Sequence, residues 1–172
     1  MCGSRGRRRE DEARHYCCAS RVSMCLAGLI RTDRSISVTT SQQPSSCRVW
    51  NARESIRKRV AAGGGVCFYN NNIDLYARVG EQKFLIEAKS VTDPRSAVDR
   101  MRYGIGQLFD YGVRYRTALD GAEPVLAFGN PPARDVAWIP SVLDENGIAF
   151  VTAIEERIVP LNDRAMRLPF IS

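Results

Sequence analysis

Between Ile73 and Lys89 the chain carries two strand-like runs joined by a tight turn, and this hairpin constrains the fold more than any other stretch. Ile73 to Val79 alternates Ile, Leu, Ala and Val with Asp, Tyr and Arg. That period of two gives one apolar and one polar face only in an extended strand. Gly80-Glu81-Gln82 supplies a turn, and Lys83 to Ala88 supplies the partner strand. A hairpin folded about Gly80 sets residue 74 roughly opposite residue 87. Glu87 and Lys89 are two apart and share a face. The reading predicts that Asp74, Glu87 and Lys89 converge at one end of a sheet.

The surrounding elements follow from similar signals. Trp50 to Ala62 reads as a helix ended by Gly63-Gly64-Gly65. No Gly-Lys-Ser/Thr follows those glycines, so they form a turn and not a phosphate loop. Val66 to Tyr69 is a short strand, and Asn70-Asn71-Asn72 is a turn. Pro94 opens a long helix, Arg95 to Leu119. Val98, Met101, Ile105, Leu108, Gly112, Tyr115 and Leu119 recur along it in alternating steps of three and four, a stripe for packing on a sheet. Val125 to Phe128 is a buried strand, Asp135 to Glu145 a second helix, and Ile148 to Ala153 another strand. Residues 160–172 carry no clear signal. The predicted order is α-β-β-β-α-β-α-β, an α/β (α+β-like) fold with a mixed central sheet, an antiparallel hairpin and flanking helices.

Charge and cysteine usage narrow the chemistry. The net charge of +6 is uneven: residues 1–46 hold eight Arg against four acids, and the rest is nearly balanced. Residues 1–46 are expected to be a basic, disordered tail, with 47–172 as the folded domain. Nothing approaches the roughly 18 apolar residues of a membrane span. The six Cys, at 2, 17, 18, 25, 47 and 67, form no CxxC pair, so no zinc site is expected. Reduced thiols suit a cytoplasmic protein. The single His, His15, lies in the tail. A Ser-His-Asp triad, a Cys-His dyad and a His-based metal site therefore have no histidine in the folded region.

What remains is two carboxylates and an ammonium. Two like charges held together are costly unless a cation intervenes. Mg²⁺, with Mn²⁺ as a substitute, is a hard cation that takes oxygen ligands. Asp74 and Glu87 would be those ligands, with the Ala88 backbone carbonyl as a third. A water activated by the ion would be the nucleophile, and Lys89 would orient it and offset the charge developing on a phosphate. Asp followed by Glu-x-Lys also describes an ordinary solvated strand face. Phe84-Leu85-Ile86 directly before Glu87 argues for a buried strand instead.

This constellation resembles the restriction-endonuclease-like PD-(D/E)XK superfamily. The matching residues are Ile73-Asp74, Glu87-Ala88-Lys89, and Arg102 to Tyr111 with its Gly106-Gln107-Leu108 run followed by Asp110 and Tyr111. The resemblance spans about residues 50–153, and Ile73 stands where the name-giving Pro sits. It implies a restriction-endonuclease-like core, with Gln107 hydrogen-bonding the attacking water or a phosphate oxygen. Glu54 would be the upstream-helix acid of some members. Relatives that hold an iron–sulfur cluster use cysteines on both sides of the core. No Cys follows Cys67, so no cluster is expected.

The resemblance implies a Mg²⁺-dependent deoxyribonuclease, an endonuclease in preference to an exonuclease. Its catalytic residues would be Asp74, Glu87, Lys89 and Gln107. Arg100, Tyr103, Gln107, Tyr111 and Arg114 share one helix face, and with Arg102 they are the candidate nucleic-acid contacts. The two tyrosines would either pack or stack. The partner would be DNA, with a homodimer or a second protein supplying specificity. The alternatives are a catalytically silent nucleic-acid-binding module of the same fold, and a structural or interaction domain with a surface salt-bridge cluster.

Overall fold

The computed structural model describes residues 47–154 and 157–171, so the expectation for residues 1–46 lies outside the described residues. In order the elements are α1 (Cys47–Ala62), β1 (Val66–Phe68), β2 (Leu75–Val79), β3 (Gln82–Lys89), α2 (Pro94–Arg114), β4 (Glu123–Phe128), α3 (Ile139–Glu145), β5 (Ala149–Ile154) and β6 (Arg157–Pro160). Short 3-10 turns stand at Arg134–Val136 and Ala165–Arg167. The six strands form one sheet in sequence order. The β1/β2, β2/β3 and β5/β6 pairs are antiparallel, and β3/β4 and β4/β5 are parallel. This mixed sheet with an antiparallel hairpin and flanking helices is the predicted α/β (α+β-like) fold class.

Each parallel step needs a crossover, and α2 and α3 provide them on one face. There Leu85, Leu126, Phe128 and Phe150 meet Ala97, Met101 and Leu108 of α2 and Ile139 and Leu143 of α3. On the other face Leu75, Phe84, Ile86, Val125 and Val151 meet Ile56 and Val60 of α1 and Leu168 and Phe170 near the C-terminus. Central strands covered on both faces read as continuous apolar runs, as in Val125 to Phe128.

Two helices depart from the expectation. The apolar stripe runs to Leu119, but α2 stops at Arg114. Leu119 is still buried, delivered by turns in which the Ala118 and Leu119 N–H groups both donate to the Tyr115 carbonyl. The periodicity reported burial and not backbone state. The expected Asp135–Glu145 helix is split, because Pro140 lacks an N–H and restricts the residue before it. A 3-10 turn therefore precedes, and α3 starts afresh at Ile139. At the other end of α2 the Pro94 signal is accurate. Asp93 is the N-cap, its carboxylate accepting from the Ser96 N–H at 2.9 Å while Ser96 Oγ accepts from the Asp93 N–H at 3.2 Å.

Beyond the predicted elements, β6 and the C-terminal tail close one edge. Buried Asn162 ties them down. Its Oδ1 accepts from the Phe150 and Ala165 N–H groups, both at 3.0 Å, and its Nδ2 donates to the Ile148 carbonyl at 2.9 Å.

Gly104 sets how closely α2 lies on the sheet. A Cβ there would stand 2.5 Å from Leu126 Cδ1, inside a core where Leu126 is fully buried. Gly112, on the same helix, has nothing within 4 Å of that position. Gly104→Ala is expected to cost about 1–3 kcal/mol by overpacking. Gly112→Ala should stabilise by up to about 1 kcal/mol through helix propensity. Thermal denaturation of the two variants reads the difference, and equal melting temperatures would contradict the close-approach argument.

Candidate functional site

The site forms where β2 and β3 part. The β2/β3 ladder pairs Leu75 with Ile86, and continuing it by one step sets Asp74 against Glu87, the predicted register. Asp74 is not itself in the strand. It is a bend residue immediately before β2. The preceding turn is built by Asn70, whose Oδ1 accepts from the Asn72 and Ile73 N–H groups at 2.8 and 2.7 Å. Ile73 is fully buried and anchors the turn. The Asp74 Oδ2 then accepts from the Ala88 N–H at 2.9 Å. The carboxylate thus replaces a main-chain acceptor in the ladder. The N–H and C=O of one strand residue face the same neighbour, so the Ala88 carbonyl is directed toward the same gap.

Glu87 and Lys89 alternate with Ile86 and Ala88, which face α1, so both side chains point toward α2. Glu87 is 2% exposed and Lys89 9%. The Lys89 ammonium donates to Glu87 Oε1 and to Gln107 Oε1. The Gln107 Nε2 donates to the Tyr111 hydroxyl at 2.9 Å. One hydrogen-bonded line therefore runs from β3 to α2 through Glu87, Lys89, Gln107 and Tyr111.

The electrostatics are unbalanced. Glu87 Oε2 is buried and has no hydrogen-bond partner. Burial above all, then the charge of Asp74, pushes the Glu87 carboxyl up to about 7, against the opposing pull of Lys89. Burial also pushes the Tyr111 phenol up, and the negative field of Glu87 and Asp74 adds to this. The Tyr111 hydroxyl therefore lies within the influence of both carboxylates.

The predicted nucleic-acid face divides. Tyr103 is 66% exposed, with Lys89 Nζ 5.4 Å from its ring centroid. Tyr111 is buried, so its ring is not offered to a base; the hydroxyl orients the Gln107 amide instead. Arg100 is exposed. Arg102 pairs loosely with Asp99 at 3.7 Å, and Arg114 pairs with Asp110 at 2.9 Å. Glu54 is not brought to the carboxylates. It pairs with Arg57 at 2.6 Å on α1, whose Ile56 and Val60 cover the opposite face of the sheet.

Sequence reasoning missed the Tyr111 role, although a Tyr four residues after a Gln on one helix face is a pairing signal. It also missed the brace behind Lys89, where the Gly129 N–H donates to the Lys89 carbonyl at 2.9 Å. Asn130 Nδ2 donates to the Val91 carbonyl at 2.9 Å beside it. Among the described residues no group of three or more His, Cys, Asp or Glu side chains could hold a metal. Any cation at this site would rest on two carboxylates and main-chain oxygen.

No protein-family model matches the chain, and no curated protein matches it. A solved structure to which it is similar is the crystal structure of an XisH family protein from Nostoc punctiforme. That chain is 16% identical, with a TM-score of 0.44, and the match covers 61% of this chain and 91% of that one. Among the described residues no helix is long and apolar enough to cross a membrane.

Proposed function

We propose that this protein is a divalent-cation-dependent phosphodiesterase acting on DNA. The observation that carries the reading is the buried, unpartnered Glu87 Oε2 beside a second carboxylate. Ionised, that oxygen would be an unpartnered charge in a dry site, which costs free energy. The carboxyl instead holds its proton up to about 7 beside Asp74, and a hard cation would take the place of that proton. Asp74 and Glu87 fit that role, with the Ala88 carbonyl at the same gap. The ion, when bound, would supply Lewis-acid polarisation of a phosphate oxygen and a lowered pKa for water.

The chain's own residues do the rest. Glu87, when ionised, provides the negative charge that draws the cation in. Lys89 is held by Glu87 and Gln107, so its ammonium is fixed before a phosphate arrives. A preorganised cation stabilises developing phosphoryl charge without reorganising at the moment of reaction. The Gln107 amide, oriented by Tyr111, keeps its oxygen toward Lys89. The exposed Arg100 and Arg102 are suited to the phosphate backbone, which supplies most nucleic-acid affinity.

The test is a cleavage panel over plasmid, linear, single-stranded and branched DNA, and RNA, with Mg²⁺ or Mn²⁺ and with chelator. Cutting that needs the divalent ion, and that disappears in Asp74→Ala while circular dichroism is unchanged, is the expected outcome. Cutting by Asp74→Ala at the wild-type rate would overturn the reading.

A further inference from the structure

We infer that Tyr103 selects substrates with an unpaired nucleobase beside the scissile phosphate, that is, single-stranded or frayed DNA. The inference rests on the phosphodiesterase reading and adds a substrate class to it. Tyr103 is 66% exposed, more than Phe109 or Trp138. It nevertheless lies at the site, with Lys89 Nζ 5.4 Å from its ring centroid. Among the described residues no other aromatic ring packs on Tyr103, so the face turned away from Lys89 is open to a base. Gly106, one turn further along α2, has nothing within 4 Å of where a Cβ would stand. The helix surface beside the ring is therefore bare. Arg100 and Arg102 are exposed nearby, where flanking phosphates would lie.

A phosphate drawn to Lys89 brings its own base close to this ring. Stacking on an aromatic side chain contributes roughly 1–3 kcal/mol per base. A base inside a duplex already has both faces covered, and extruding it costs a few kcal/mol. The contact is therefore favourable for an unpaired base and near neutral for a paired one.

The experiment uses the full chain and one oligodeoxynucleotide sequence in single-stranded and duplex form. Binding is read by fluorescence anisotropy in Ca²⁺ and cutting in Mn²⁺, for wild type, Tyr103→Phe, Tyr103→Trp, Tyr103→Leu and Tyr103→Ala. Phe and Trp keep the π face, whereas Leu keeps only the bulk over Lys89. Leu and Ala should weaken single-strand binding and cutting by about tenfold relative to duplex, with Phe and Trp near wild type. Leu behaving like Phe, or Ala lowering both substrates equally, would overturn the inference while leaving the phosphodiesterase reading in place. Single-strand binding that depends on Tyr103, without cutting of any substrate, would support the stacking role and sink the phosphodiesterase reading. Absence of binding and cutting in the wild type would remove both.

Discussion

Lys89→Ala is expected to lower divalent-dependent DNA cleavage by about 10²–10³-fold, the range for removing one preorganised group that stabilises transition-state charge. The effect should be large because Lys89 is nearly buried and held by two acceptors. It is the one ammonium among the described residues that contacts Glu87. Lys89→Arg should not rescue. A planar guanidinium is wider than an ammonium and would have to displace Gln107 or Tyr103. Single-turnover rates with circular dichroism as the folding control read the result. A Lys89→Ala rate within a few-fold of wild type would remove Lys89 from the chemistry.

The second large effect concerns stability. The folded-state pKa of Glu87, about 7, lies above the ordinary carboxylate value of 4.5. The folded protein therefore holds this proton more tightly than the unfolded chain. The stabilisation is complete below about 4.5 and is lost as pH rises through about 7. Taken at full size, a shift of that extent corresponds to on the order of 3 kcal/mol, or several degrees in melting temperature for a chain this long. Glu87→Gln removes the dependence. Its amide can still accept from Lys89 through oxygen and donate toward Asp74. In chelator, the variant should melt close to wild type near pH 5 and well above it near pH 8. Parallel melting curves at both pH values would show that Glu87 does not carry the shift.

The hairpin and its convergence were legible because a strict two-residue alternation and a Gly turn leave one register. Gly80 adopts a positive φ of 58°, and the ladder runs on to set Asp74 at Glu87. The site lysine was legible for the same reason. The apolar run Phe84-Leu85-Ile86 correctly marked β3 as buried. What stayed hidden depends on contacts between distant segments. Asn162 reads as a surface residue until β5 is placed beside it, and β6 is four residues ending in Pro. Packing and stacking were both open for Tyr103 and Tyr111 in the sequence; eight residues turn the helix by about 80° more than two full turns, and only Tyr111 faces inward. Glu54 looked available until Arg57 was seen to hold it. Periodicity gave the face of α2 without its end, and Pro140 decided where α3 starts.

The most direct test of the central claim is the same melting experiment with and without Mn²⁺ at pH 8. A cation held by Asp74 and Glu87 stabilises only the folded state, by about 2.7 kcal/mol at a hundredfold excess over Kd. It competes with the Glu87 proton, so its effect should shrink near pH 5. Wild type should gain several degrees at pH 8, and Asp74→Ala and Glu87→Gln should gain none. An equal Mn²⁺ shift in all three proteins, or no shift in the wild type, would contradict the account.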